Sequence, residues 1–240
     1  MDIQYEKQFD FYFRPESLDR CIFDQIQNAD EYLLKEETFA SSDIAIDIGG
    51  HIGFFARTVL SRGIGHVHVY EISPQNIELC QKNLQKYSGH VTINHLAVWN
   101  ITGQTLYFDE FPHWGNDVNT GGCDVFSGGK TAVQTVAFDQ IITEITDSGK
   151  KRIKILKIDA EGSEWPILLQ SRMLDQIDTI VGELHEYGGR YDRLSPRLIG
   201  LPDYNRFTRL EFDDFMTSHH FKLKMNRKHG SRYVPFKAIR

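Results

Sequence analysis

The sequence predicts an α/β fold: a mostly parallel, seven-stranded sheet with helices on both faces and an antiparallel hairpin at its C-terminal end. Three observations predict it. From residue 44 onward, apolar strand-like runs alternate with helical ones, the order that builds parallel sheets with right-handed crossovers. A glycine turn joins the first of those strands to its helix at Asp47–Gly53. Two alternating runs close the chain around the turn-like RKHGS.

The elements follow in order. Residues 19–35 place Ile22, Phe23, Ile26, Ala29 and Leu33 at helical spacing. Ile44–Ile46 reads as a buried strand, and a helix should run from about Ile52 to Ser61. His66–Tyr70 alternates like a strand. Ser73-Pro74 supplies a capping hydroxyl and a first-turn proline for a helix reaching Tyr87. Val91–His95 is the third strand. Thr105–Asp109 and Thr131–Val136 look like strands flanking a glycine- and asparagine-rich loop, and Asp139 is placed to cap a short helix. Ile153–Ile158 and Thr179–Gly182 are apolar strands, Thr208–Ser218 a helix, and Phe221–Met225 with Tyr233–Ile239 the terminal hairpin. There is no internal repeat. Residues 1–240 read as one domain, with 1–40 a helical lead-in and 100–150 an insertion covering the substrate.

Composition narrows the function classes. The 240 residues are 40% hydrophobic and 25% charged, ordinary for a globular chain with a real core. A formal charge of −6 argues against nucleic-acid and acidic-membrane partners. Lys222, Lys224, Arg227, Lys228, Arg232 and Lys237 gather near the end, where a solvated hairpin face explains them better than an anion site. Cys21, Cys80 and Cys123 are odd in number and far apart, so neither a disulfide framework nor a zinc site is expected. No apolar run reaches the ~18–20 residues that span a bilayer. The opening MDIQYEKQFDFYFRPE lacks the apolar core of a secretory signal, and a cytoplasmic location is expected.

The strongest local signal is DIAIDIGGHIGFF, Asp43–Phe55. A strand ends at Asp47, the chain turns through Gly49-Gly50, and a helix begins near Ile52. Glycine admits positive φ and close ligand approach, and the helix start offers free N–H groups. The dinucleotide fingerprint G-x-G-x-x-G fails, since it would need glycine at His51 and Phe54. Asp47, Gly49 and Gly53 form an acid-x-Gly-x-x-x-Gly pattern instead. That suits a nucleoside without pyrophosphate, such as S-adenosylmethionine, whose ammonium and carboxylate must be received. Glu71 ends the strand HVHVYE, 22 residues after Gly49, where an acid can accept from both ribose hydroxyls. Either signal alone is weak, because many βα turns hold glycine and many strands end on an acid. In sequence they support one another.

The second cluster is ILKIDAEGSEWPILL, Ile155–Leu169. Asp159 ends an apolar strand and should stand at the ligand rim of the sheet. Glu161 and Glu164 follow, and for Glu164 the helix dipole is an equally good structural reason. VGELHEY, Val181–Tyr187, brings Glu183, His185 and Glu186 to the same rim. His185 titrates near neutrality when unperturbed, which makes it a candidate general base.

In order along the chain, Asp47–Phe55, Glu71, INHLAV (Ile93–Val98), TVAFDQI (Thr135–Ile141), Asp159–Glu164 and Glu183-Leu184-His185 resemble the FkbM-family methyltransferases. FYFRPESLDRCIFD looks like that family's lead-in, so the resemblance covers roughly residues 11–185; KIDAEGSE is its most specific part. It implies the class I methyltransferase Rossmann-like fold and S-adenosylmethionine as cofactor. Asp47, Gly49, Gly50, His51, Gly53, Glu71, Ile72, Ala97 and Asp159 would hold that cofactor. It also implies methyl transfer, usually to a hydroxyl on a sugar, glycan, polyketide or other natural product. Gly50-His51 and Phe138 depart from the usual residues, and the loop His113–Gly129 is peculiar to this chain.

Two routes could activate a hydroxyl. His185 could take its proton, with Asp159 and Glu161 beside it. Alternatively Asp159, Glu161 and Glu183 could hold a divalent cation such as Mg²⁺. The rival readings are an NAD-dependent oxidoreductase or epimerase, opposed by the missing glycines and the absence of a Tyr-x-x-x-Lys pair, and an inert nucleotide-binding module.

Overall fold

A computed structural model gives the fold, describing residues 1–111, 113–114, 117–126, 128–186, 208–225 and 233–240. The N-terminal strands β1 (Gln4–Glu6) and β2 (Phe11–Phe13) pair antiparallel, and α1 (Asp19–Gln27) follows. Then come β3 (Ile44–Ile48), α2 (Phe54–Ser61), β4 (His66–Glu71), α3 (Pro74–Leu84) and β5 (Val91–His95). Next are β6 (Ala97–Trp99), β7 (Thr105–Phe108), β8 (His113–Trp114), β9 (Asp117–Val118) and β10 (Thr131–Ala137). The chain continues through α4 (Phe138–Ile145), β11 (Ile153–Ile158), α5 (Glu164–Leu168), β12 (Ile177–His185), α6 (Arg209–Ser218), β13 (Lys222–Met225) and β14 (Tyr233–Ile239).

The main sheet has seven strands in the order β13-β14-β12-β11-β3-β4-β5. The five from β12 to β5 are parallel, while β14 runs antiparallel to both β12 and β13. The expected sheet is therefore present. The RKHGS turn, with Arg227, Lys228 and Arg232, lies outside the described residues. Strand alternation sends Ile155 and Val181 to one face and Leu156, Ile158, Ile180 and Leu184 to the other. The first face is covered by Phe23 of α1, Phe54 and Val59 of α2, and Leu79 of α3; the second by Ile141 of α4, Trp165 of α5, and Phe212 of α6. Among the described residues, no helix is long and apolar enough to cross a membrane, and Cys21, Cys80 and Cys123 are free thiols.

Several local expectations change. The helix expected over 19–35 ends at Gln27, because Asp30 turns left-handed (φ 52°) and its carboxylate accepts from Leu34 N and Lys35 N at 2.7 and 3.2 Å. The chain beyond is a strap. Arg62 Nη1 donates to Leu34 O, while Lys237 Nζ, from the last strand, donates to Leu33 O at 2.8 Å and pairs with Glu37 at 2.6 Å. Asp139 lies inside the first turn of α4 rather than at its cap, and its carboxylate instead accepts from Ser171 Oγ and Arg172 N. The strand at 131–137 lies between the strand at 105–108 and β6 in a separate three-stranded sheet. Helix α3 keeps its Ser73 cap and Pro74 start, then tightens to a 3₁₀ turn over Gln85–Tyr87.

Near the rim, β11 and β12 approach closely: a Cβ built on Gly182 would sit 1.7 Å from Ile158 O. Gly182→Ala should therefore cost about 1–3 kcal/mol through forced separation of the strands. Chemical denaturation of the variant would show it, and wild-type stability would contradict the tight register.

Candidate cofactor and acceptor site

The parallel strands β3, β4, β11 and β12 end on one edge of the sheet, and the loops beyond them surround a cavity of about 500 Å³. Its wall includes Gly49, Gly50, His51, Glu71, Ile72, Ala97, Asp159, Glu161 and Glu183. Asp47, Gly53 and His185 are not part of it. The lead-in contributes Leu18, Cys21, Ile22 and Tyr32, and the insertion Asn119 and Gly121.

The turn after β3 is held from below. Asp47 is fully buried, and Lys157 Nζ lies 3.3 Å from its Oδ1 while donating to Ile48 O and Gly49 O at 3.2 and 2.5 Å. Burial works against the Lys157 charge, yet Asp47 and Asp159 raise its pKa above the ordinary value. Gly49 has φ 75°, and a Cβ there would lie 1.9 Å from Asp159 O, so this position accepts only glycine. Gly53 (φ 95°) starts α2. Asp47 and Gly53 thus shape the turn from behind, and Gly49, Gly50 and His51 face the cavity.

Glu71 is buried and accepts from His51 N at 2.7 Å and Ser73 N at 2.8 Å. Burial raises its pKa, and those two N–H donors counter the rise. The carboxylate is oriented by the backbone of two loops and keeps lone pairs for a ligand on the wall. His51 takes φ 50°, uncommon for a non-glycine residue, and packs into a buried polar knot. Its Nε2 lies 2.9 Å from Thr120 Oγ1 and 3.3 Å from Asp19 Oδ1. Arg14 grips Asp19 bidentately at 2.9 Å and donates to Asn76 Oδ1 at 2.8 Å, while Thr120 Oγ1 donates to Asp19 and Asn76 Nδ2 donates to Thr120 O. Burial pushes the Asp19 carboxyl upward, but His51 and Arg14 outweigh it and hold it well below the usual carboxylate range. The knot ties the lead-in and the insertion to the cofactor turn, and no spacing pattern in the sequence announces it.

At the other end, Asp159 Oδ2 accepts from the buried Tyr32 hydroxyl at 2.8 Å. His185 is enclosed by carboxylates: Nδ1 is 3.1 Å from Glu164 Oε1, and Nε2 is 3.3 Å from Glu161 Oε2 and 3.8 Å from Glu183 Oε2. Glu164 Oε1 also accepts from Ala160 N at 2.7 Å, closing the loop. Burial opposes a charged imidazole, but Glu164 and Glu161 raise the His185 pKa well above its ordinary value. Those carboxylates favour the charged imidazole, and His185, expected as a neutral base, is not part of the cavity wall. Burial and the Asp159 charge push Glu183 up to about 8.

The expected cation ligands Asp159, Glu161 and Glu183 do not converge as a set. Among the described residues, the group whose ligand atoms lie within 4.8 Å of one another is Asp159, Glu164 and His185. Lys157 and Tyr32 were missed at the sequence level. Lys157 left a trace as a lysine on an inward position of the apolar strand IKILKI; Tyr32 left none.

Both raised groups bind protons in the fold that the unfolded chain has released. Glu183 favours folding less as pH rises from about 4.5 to about 8, and the His185 contribution is lost from about 6.5 upward. The melting temperature should fall between about pH 5 and pH 9, and His185→Gln should flatten the upper part of that slope. A melting temperature that climbs over this range would contradict the charge assignment.

A profile of the methyltransferase FkbM domain matches residues 47–233. Among solved structures, the chain is similar to the precorrin-6y C5,15-methyltransferase from Geobacter metallireducens GS-15, at 12% identity, 99% coverage of both chains and a TM-score of 0.50. It is also similar to a putative RNA methyltransferase from Pyrococcus horikoshii, at 12% identity, 92% coverage of this chain and 84% of that one, with a TM-score of 0.44. No curated protein matches the sequence. The first of these likenesses supports the fold, and the profile spans most of the chain, including both ligand loops. The chain belongs to the FkbM-domain family and is an S-adenosylmethionine-dependent methyltransferase.

Proposed function

We propose that this methyltransferase acts on a hydroxyl of a small-molecule or glycan acceptor, a sugar or another natural product, with Glu183 as general base. The observation that carries the reading is a carboxyl on the cavity wall, beside Asp159, whose pKa is pushed up to about 8. A hydroxyl must lose its proton as its oxygen attacks, and a base titrating near neutrality is suited to take it. The formal charge of −6 gives no electrostatic attraction for a phosphate backbone. The free thiols fit a reducing, cytoplasmic setting.

When bound, the cofactor supplies an activated methyl group on a sulfonium. The protein's residues do the rest. Glu71 would receive the ribose hydroxyls, with His51 and Gly50 beside it, and Ile72 and Ala97 would wall the base. Asp159 would hold the reacting end. Glu183 would take the proton of the acceptor hydroxyl as its oxygen receives the methyl group that the sulfonium gives up. Most of the acceleration comes from in-line placement and loss of water. His185 keeps Glu161 and Glu164 in place as a fixed positive charge.

Two outcomes are expected. Glu71→Ala should weaken S-adenosylhomocysteine binding by about 1.5–3 kcal/mol in calorimetry, because a charged acceptor is lost; unchanged affinity would place the ribose elsewhere. In a methyl-transfer assay, kcat should rise with pH through about 8 and be insensitive to EDTA. Glu183→Gln should lower kcat by roughly 10²–10⁴-fold. Loss of wild-type activity in EDTA would restore the cation route.

A further inference from the structure

Tyr32 lies outside the span that matches the family, residues 47–233, yet it stands on the cavity wall and is buried to 3% exposure. Its hydroxyl donates to Asp159 Oδ2 at 2.8 Å, and its ring has Lys157 Nζ 6.0 Å from the centroid and Phe55 edge-on at 6.3 Å. The ring belongs to the strap that follows α1. The strap is seated from two sides: Lys237 Nζ holds the neighbouring Leu33 carbonyl and Glu37, while Arg62 Nη1 holds Leu34 O. A carboxylate at the end of a strand can rotate about its side-chain bonds. One oxygen fixed by a seated phenol leaves the other in a single direction.

We propose that Tyr32 is a positioning residue for methyl transfer. It holds the Asp159 carboxylate in one orientation toward the reacting end of the cavity, so that a lead-in segment outside the matched domain sets the geometry of the reaction. The inference rests on the placement of the reacting end at Asp159 given above. It does not depend on whether the accepting atom is oxygen. Energetically, the hydroxyl contributes one hydrogen bond to a charged group, and the ring contributes packing that phenylalanine retains.

The test is Tyr32→Phe in the full chain, with Asp159→Asn and the double variant. Tyr32→Phe should lower kcat by about 10- to 100-fold, the worth of a hydrogen bond to a carboxylate. The acceptor KM and the S-adenosylhomocysteine Kd should stay within about twofold, since the loss is felt in the transition state. The double variant should be no slower than the slower single one, because both changes remove the same oriented group. Lys237→Met, which loosens the strap without touching the site, should lower kcat in the same sense but less, and it serves if the phenylalanine variant folds poorly. Wild-type kcat in Tyr32→Phe, or strictly additive losses in the double variant, would overturn the proposal. So would a fall in kcat matched by equal losses in cofactor affinity and melting temperature, the pattern of a merely structural residue. Analysis of the methylated product separates the two readings: a methyl on nitrogen or carbon would refute the hydroxyl acceptor while leaving the Tyr32 effect to be read from kcat.

Discussion

The site depends on one buried ammonium. Lys157 reaches from β11 beneath the adjacent strand, pairs with Asp47 and binds the carbonyls of Ile48 and Gly49. Those carbonyls belong to the point where the chain leaves the sheet and bends into the cofactor turn. A strand end of this kind would otherwise expose unsatisfied oxygens in a dry place, at a cost of several kcal/mol. Because Lys157 also precedes Asp159 by two residues, the same strand that supports the cofactor turn delivers the acid at the reacting end. The contact of Gly49 with the Asp159 carbonyl completes the lock from the other side. Cofactor and acceptor ends are therefore set by one local register between β3 and β11, not by two independent loops.

Charge at the acceptor end follows a different rule. Several carboxylates crowd the rim, and in water they would each be hydrated and ionised. Within the fold the imidazolium of His185 compensates Glu161 and Glu164, while Glu183 answers its neighbours by holding a proton more tightly. Burial weakens Glu161 as an acid as well, so the rim holds carboxyls that keep their protons to higher pH than in water. Pairs of titratable groups driven apart by their surroundings are a recurring way to obtain a base from residues that are ordinarily too acidic.

Much of this was legible in the sequence because it is local. The glycine turn, the acid ending HVHVYE and the run KIDAEGSE each carry their meaning within a dozen residues, and backbone conformation is decided at that range. The mostly parallel sheet also followed from the alternation of elements. What the sequence did not disclose depends on residues brought from afar. His185 reads as a neutral histidine until Glu164 and Glu161 enclose it. The helix expected through Lys35 has the right periodicity, but the Asp30 carboxylate offers the backbone a better local partner. Asp139 has the chemistry of a cap, and a different loop uses it. Tyr32 and Asp159 are 127 residues apart, and nothing in either neighbourhood points to the other.

The seating of the lead-in also has a consequence for how the chain assembles. The hydroxyl that covers Asp19 is 101 residues away in Thr120, and the lysine that anchors Leu33 is 204 residues away in β14. Contacts this distant must close long loops before they are rewarded, which slows folding. Phe11 and Phe23 already pack on Phe54, but the strap at Leu33 and Glu37 is fully seated only once Lys237 is in place. The cavity wall at Tyr32 is thus tied to a strand some two hundred residues away in the chain, and a change at Lys237 reaches the active site without touching it.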